Sequence, residues 1–250
     1  YIYIESFNHP RLAADVEYAL QDLKDSFDGN IPGLVIDVRG NPGGLVDQTV
    51  EVASYFLDGG EVFSARGRTL SNTQRYNAAP GELVPDVPIV VIANSNSASA
   101  AEILAGAIQD RGRGIIIGRR TFGKGSVQSV IGLSGTNGAL RLTTQRYYTP
   151  SGKSIQGRGI IPDLLVALRP DTGETRRRFR EESLPNALRN PDESDYEEDK
   201  DTIDYPPEDW PANEDYQLSK AVELVKSPTY QSQLANITLA ANRFQNTALK

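Results

Sequence analysis

Short aliphatic runs that do not alternate with polar residues punctuate the first half of the chain. Gly33-Leu34-Val35-Ile36-Asp37-Val38, Pro88-Ile89-Val90-Val91-Ile92-Ala93 and Gly114-Ile115-Ile116-Ile117-Gly118 are three of them. Such runs fit strands covered on both faces, as in a parallel sheet. Between them lie stretches with helical spacing. Pro10 suits a first helical turn, and Leu12, Val16, Ala19, Leu20, Leu23 and Phe27 form a stripe that ends near Gly29. A second helix is expected from Leu45 to Leu57, with Leu45, Thr49, Val52, Ala53 and Phe56 facing in and Gly59 as its stop. A third runs from Ser99 to Asp110, with Ile103, Leu104, Ala107 and Ile108 on one face. Tyr1–Phe7 and Glu61–Arg66 read as further strands, and Thr69–Asp86 as a polar loop positioned to flank a groove. Tyr1 falls inside its strand, so sequence upstream of it is expected. Strand and helix in alternation predict an α/β fold.

Beyond Gly125 the texture turns β-rich. Ser126–Ile131 and Ala139–Tyr148 are two strands joined across Asn137-Gly138, a strong hairpin signal. Gln156–Leu168 closes the core, with Ile160-Ile161-Pro162-Asp163 leading into a last strand. Arg176, Arg177, Arg178 and Arg180 then form a basic cluster, and Asp192–Asp209 carries ten acidic side chains against Lys200. An acidic run of this kind reads as solvated and poorly ordered. Two helices follow, Tyr216–Val225 and Tyr230–Leu249, to dock on the core or on a second subunit. The expected division is a core over 1–168, a charged linker over 169–212 and a helical tail over 213–250.

Composition narrows the chemistry. A net charge of −7 argues against nucleic acid as the main partner. The absence of cysteine removes disulfides, thiolate zinc sites and cysteine catalysis. No apolar stretch approaches the roughly 18 residues of a membrane span, and no signal peptide is visible.

The candidate chemistry lies between residues 94 and 128. Ser99 sits where a buried strand hands over to a helix N-terminus, whose unpaired amides and dipole favour negative charge on a nucleophile or oxyanion. A serine needs a base, and the only histidine is His9, which reads as an exposed turn residue. If the chain is a nucleophilic hydrolase, lysine is the base that remains. Lys124 arrives on a glycine-flanked loop next to Phe122 and the Ile115–Ile117 run. To act as a base it must be neutral, and apolar burial is what moves an amine away from its unperturbed pKa of about 10.4.

These residues resemble a known family. Ser97-Ala98-Ser99-Ala100-Ala101-Glu102-Ile103, Thr121-Phe122-Gly123-Lys124-Gly125-Ser126-Val127-Gln128 and Tyr147-Tyr148-Thr149-Pro150-Ser151-Gly152 are similar to motifs of the carboxy-terminal (tail-specific) processing proteases of bacteria and plastids. Asp37-Val38-Arg39-Gly40-Asn41-Pro42-Gly43-Gly44 matches the family's oxyanion loop. The resemblance covers roughly residues 1–168. It implies an α/β spiral core related to the ClpP and crotonase folds, with an added β-rich segment and a C-terminal helical tail. It also implies a serine endopeptidase with Ser99 as nucleophile, Lys124 as general base and Gln128 positioning the lysine. The backbone amides of Ala100 and of Gly43 or Gly44 would form the oxyanion hole. No cofactor or metal is implied. The expected partners are protein or peptide substrates with apolar C-termini, together with a further copy of the chain and a regulatory adaptor, and the expected location is the bacterial envelope, in the periplasm. The PDZ domain usual in the family is not seen in this chain, and Ser95-Asn96 stands where Gly-Gly often precedes the serine motif.

Three rival readings compete. Gly118-Arg119-Arg120-Thr121-Phe122-Gly123-Lys124 spells most of a phosphate loop, but Gly125 stands where Ser or Thr should hold magnesium. An acyl-CoA hydratase-type enzyme would share the fold and leave Ser99 and Lys124 without a task. A scaffold that keeps the protease core without catalysis is the third. Two lesser features read as structural, with Asp37 and Arg39 bracing their loop and Glu102 making a helix-capping contact.

Overall fold

The computed structural model describes residues 1–135, 137–169, 180–191 and 203–248, with side chains described throughout except at Leu70 and 241–248. Arg176–Arg178 and most of the acidic run lie outside the described residues. The three aliphatic runs form the centre of a five-stranded parallel sheet in the order β1-β2-β5-β6-β9. Its strands are β1 (Ile2–Tyr3), β2 (Leu34–Asp37), β5 (Ile89–Ala93), β6 (Ile115–Gly118) and β9 (Leu164–Leu165). Every residue of β2, β5 and β6 is buried, as runs without alternation require.

Both faces of this sheet are covered. On one face pack α1 (Leu12–Ser26), α2 (Val46–Ser54) and α3 (Ala100–Asp110), burying Leu34, Ile36, Ile89, Val91 and Ile116. On the other, Val35, Val90, Ile92, Ile115 and Ile117 meet Tyr216, Ala221 and Val225 of α4 (Tyr216–Lys226) and Tyr230 of α5 (Tyr230–Ala248). The Tyr230 hydroxyl donates to the Ile89 carbonyl at 2.6 Å and accepts from the Ile89 amide at 3.0 Å, which closes the backbone at the start of β5. Of the two sites anticipated for the C-terminal helices, the structure therefore shows the core.

A four-stranded antiparallel sheet, in the order β4-β3-β8-β7, stands beside the parallel one. It comprises β3 (Glu61–Arg66), β4 (Thr73–Asn77), β7 (Ser126–Gly132) and β8 (Ala139–Tyr148). Phe63 stacks on Tyr76 at 4.3 Å between ring centroids and meets the Tyr147 edge at 5.3 Å, fastening three of the strands on the inner face. Two local expectations are corrected. Thr69–Asp86 contains β4, whose Thr-Gln-Arg-Tyr-Asn sequence is polar because it is an exposed edge. Leu45 does not face inward: it is the extended cap residue ahead of α2, 44% exposed, whereas Thr49, Val52 and Ala53 are buried as their spacing predicts.

Candidate active site

Three loops at the C-terminal ends of β2, β5 and β6 meet at one point, where a parallel sheet leaves its backbone ends open. The first is Val38–Leu45, the second Asn94–Ser99 and the third Arg119–Gly125. The Phe122 amide donates to the Ser97 carbonyl at 3.0 Å, and the Ala98 amide to the Asn41 carbonyl at 2.9 Å. The Ser97 hydroxyl donates to the Val38 carbonyl at 2.7 Å. Ser97 is thus a structural tie, as a turn serine should be.

Glu102 lies at the centre of this junction, with 0% of its surface exposed. Its Oε2 accepts the amides of Ser99 at 2.8 Å and Lys124 at 2.9 Å. Its Oε1 accepts the Thr121 hydroxyl at 2.5 Å and the Gly123 amide at 2.7 Å. Four donors converge on one carboxylate, and each favours its charged form. Burial pushes the Glu102 pKa up to about 7 against the opposing pull of those donors. The helix-capping reading of Glu102 is correct as far as it goes. Its span to Gly123 and Lys124 is what the sequence does not reveal.

Ser99 takes φ 55° and ψ −112° at the N-cap of α3, a backbone that side chains rarely adopt. Such an angle turns the side chain away from the strand and sets it at the head of the helix. Lys124 is half-buried, and its amine makes no hydrogen bond or ion pair among the described residues. Gly125 approaches the backbone of Ile155 and Gln156 so closely that a Cβ there would overlap it. Its amide is shared between Gly123 O and Gln156 Oε1, each at 3.1 Å. With Gly125 N tethered and Lys124 N held by Glu102, the Lys124 backbone is fixed on both sides.

Gly43 is buried against the serine turn. At φ 96°, a Cβ on it would fall 2.8 Å from Ser99 Cβ and 2.9 Å from Ala100 N. The Gly43 amide donates to Asn41 Oδ1 at 2.8 Å, while Asn41 Nδ2 donates to the Ile4 carbonyl at 2.7 Å. The amides of Ala100 and Gly44 have no acceptor among the described residues. Gln128 lies on β7 just after an irregularity in the ladder, exposed, and its side chain makes no hydrogen bond among the described residues. The structure thus brings the backbones of Ser99, Lys124, Gly43 and Ala100 to one place, and the Gln128 side chain makes no hydrogen bond to them.

Arg39 braces the first loop, as anticipated, and reaches further. It pairs with Asp37 at 2.5 Å and Asp215 at 2.7 Å, and donates to Gln217 Oε1 at 3.1 Å. Gln217 Nε2 in turn donates to the Val166 carbonyl at 2.7 Å. Burial opposes ionisation of Asp215, but Arg39 and the Leu218 amide outweigh it and hold the Asp215 carboxyl below its usual range. The start of α4 is therefore fastened to the loop that carries Gly43. The phosphate-loop rival does not survive, because the Gly123 and Lys124 amides are spent on Glu102 and strand β7 follows in place of a helix. Among the described residues, no group of three or more His, Cys, Asp or Glu side chains is placed to hold a metal ion, and no helix is long and apolar enough to cross a membrane.

Comparison with known proteins agrees with the geometry. The carboxy-terminal-processing protease of Bartonella bacilliformis is 51% identical over 154 residues, covering 61% of this chain and 35% of that protein. The chloroplastic carboxyl-terminal-processing peptidase 3 of Arabidopsis thaliana is 38% identical over 164 residues, 66% of this chain and 31% of that one. The chain thus spans about a third of the length of these curated relatives. Among solved structures, the photosystem II D1 C-terminal processing protease superposes with a TM-score of 0.61 at 34% identity, covering 67% of this chain and 42% of that one. The α/β core with its added β-rich sheet is accordingly a fold of processing proteases. Peptidase family S41 matches residues 1–166, more than half of the sequence, and the chain belongs to that family.

Proposed function

We propose that the chain carries the catalytic core of a serine endopeptidase of the carboxy-terminal-processing type, acting on protein substrates near their C-termini. The observation that carries this reading is the convergence of the Ser99 and Lys124 amides on Glu102 Oε2. Ser99 Oγ attacks the scissile carbonyl carbon while its proton passes to the Lys124 amine. The carbonyl oxygen becomes an oxyanion received by the Ala100 amide and a glycine amide of the Gly43-Gly44 turn. Collapse breaks the C–N bond, and the leaving amine takes the proton from Lys124. Water then gives a proton to Lys124, attacks the acyl-Ser99 ester and releases the new C-terminus, with the proton returning to Ser99 Oγ.

A regulated enzyme is the variant of this reading that two observations favour. The Gly43 amide is held by Asn41 Oδ1, and Gln128 is exposed without a hydrogen bond. In this proposal the hairpin brings Gln128 to Lys124, and Asn41 releases Gly43, when a peptide is bound. The substrates would end in apolar residues, and the location would be the bacterial envelope, in the periplasm, as the family resemblance implies. Mass spectrometry of an unfolded protein substrate tests the core of it: wild type yields defined fragments, and Ser99→Ala or Lys124→Ala yields none. Fragments of wild-type abundance from either variant contradict the assignment.

A further inference from the structure

On the outer face of the antiparallel sheet, Arg66 of β3 and Arg146 of β8 are directly opposed partners, and Ser126 of β7 is the next residue across. Directly opposed like charges destabilise a strand pair. Neither guanidinium has a carboxylate partner among the described residues, in a chain whose net charge is −7. Arg66 is nonetheless held in place: its guanidinium carbon lies 4.2 Å from the Tyr148 ring centroid, and its Nε donates to Ser64 Oγ at 3.2 Å. Both arginines are half-buried rather than splayed into solvent. Two half-buried cations side by side, one of them held in place and neither with a counter-charge among the described residues, suit an anion that can bridge them.

The position says which anion. The Tyr147 amide donates to the Gly125 carbonyl at 2.7 Å, so the β7–β8 ladder runs directly into the Lys124 loop. Ser126, opposite Arg146, is two residues from Lys124, about 7 Å along an extended chain. A peptide lying across Ser99 and Lys124 would pass this row. We infer that Arg66 and Arg146 form a carboxylate subsite that engages the substrate peptide, through either its terminal α-carboxylate or an acidic side chain close to its end. The inference rests on the peptidase reading above and adds a specificity element to it.

Three peptides of one sequence test it: a free acid, a C-terminal amide, and an amide with glutamate as penultimate residue. Steady-state cleavage is compared for wild type, Arg146→Gln and Arg66→Gln, with thermal melts to verify folding. Among the described residues the Arg146 side chain makes no hydrogen bond or ion pair to lose, so Arg146→Gln keeps the test open if Arg66→Gln fails to fold. Wild type is expected to show a KM about tenfold lower for the free acid than for the amide, and this ratio falls toward one in both variants. A preference for the glutamate amide that the variants abolish assigns the subsite to an acidic side chain. Acid-to-amide and glutamate-amide-to-amide KM ratios that are both unchanged in Arg146→Gln overturn the subsite. Should wild type cleave none of the peptides, the peptidase reading fails by itself. Dissociation constants of the three peptides for Ser99→Ala and for Ser99→Ala carrying Arg146→Gln then decide the subsite on the same criterion.

Discussion

The backbone amides of Ser99 and Lys124 donate to a single oxygen, Glu102 Oε2, at 2.8 and 2.9 Å. The two residues come from loops after different strands, and one buried carboxylate sets the separation of their backbones. Glu102→Ala leaves four buried donors without an acceptor. Each such loss costs about 1–3 kcal/mol, and the Ser99 and Lys124 loops lose their common anchor. The variant is expected to melt well below wild type. The conservative Glu102→Gln, which keeps only Oε1-type acceptance, is expected to fold with kcat lowered by about 10²-fold, as read by steady-state peptide cleavage.

The same carboxylate makes stability depend on pH. Burial raises the folded-state pKa of Glu102 from 4.5 to about 7. Between those values the folded chain holds a proton that the unfolded chain has released, so the slope of stability against pH is negative there. The contribution is full below about pH 4.5 and is lost as pH rises through about 7. Denaturant titrations of Ser99→Ala with and without Glu102→Gln should therefore differ in slope across that window. Asp163, pushed up to about 6 chiefly by burial, adds the same sign in both proteins and cancels from the comparison.

Ser99 is predicted to cost stability for the sake of its site. At φ 55° and ψ −112° the residue is strained, and removing a Cβ from such a position relieves about 1 kcal/mol or more. Ser99→Gly should melt higher than Ser99→Ala, with both unable to cleave. Equal melting temperatures would show that the turn holds this angle without strain.

Gly43→Ala meets backbone rather than a flexible side chain. Its Cβ would press on Ala98 O and Ala100 N, each under 3.0 Å away. The serine turn must yield, moving the Ala100 amide with it. A loss of about 10²–10³ in kcat with little change in KM is expected, the size associated with losing one oxyanion donor.

The C-terminal helices should be indispensable to folding. They cover Val35, Val90, Ile92, Ile115 and Ile117, and a buried aliphatic side chain of this size is worth about 1.5–3 kcal/mol. A chain ended at residue 168 is expected to bind hydrophobic dyes and to aggregate, whereas the full chain melts cooperatively.

Much of this was legible in the sequence. Uninterrupted aliphatic runs announced β2, β5 and β6, because a strand covered on both faces has no polar side to display. Asn137-Gly138 marked the β7–β8 turn, and the expected helix over Tyr216–Val225 marked α4. Ser99 and Lys124 stood out because a hydrolase without cysteine or a usable histidine leaves lysine as its base. Contacts between distant segments were not legible. Arg39 and Gln217 are 178 positions apart, and no local pattern joins them. Asn41 lies within the oxyanion motif, yet that its side chain accepts the Gly43 amide depends on the turn, which the sequence does not encode by spacing. β4 escaped because edge strands carry polar residues and so resemble loops.

The most direct test of the central claim is covalent. A fluorophosphonate probe reacts with a serine only where a base takes the hydroxyl proton and donors receive the developing charge. Peptide mapping by mass spectrometry is expected to place one adduct on Ser99 in wild type and Glu102 variants that fold, at reduced rate in the latter, and none in Lys124→Ala. An adduct on another serine, or labelling of Ser99 in Lys124→Ala at the wild-type rate, would contradict the account.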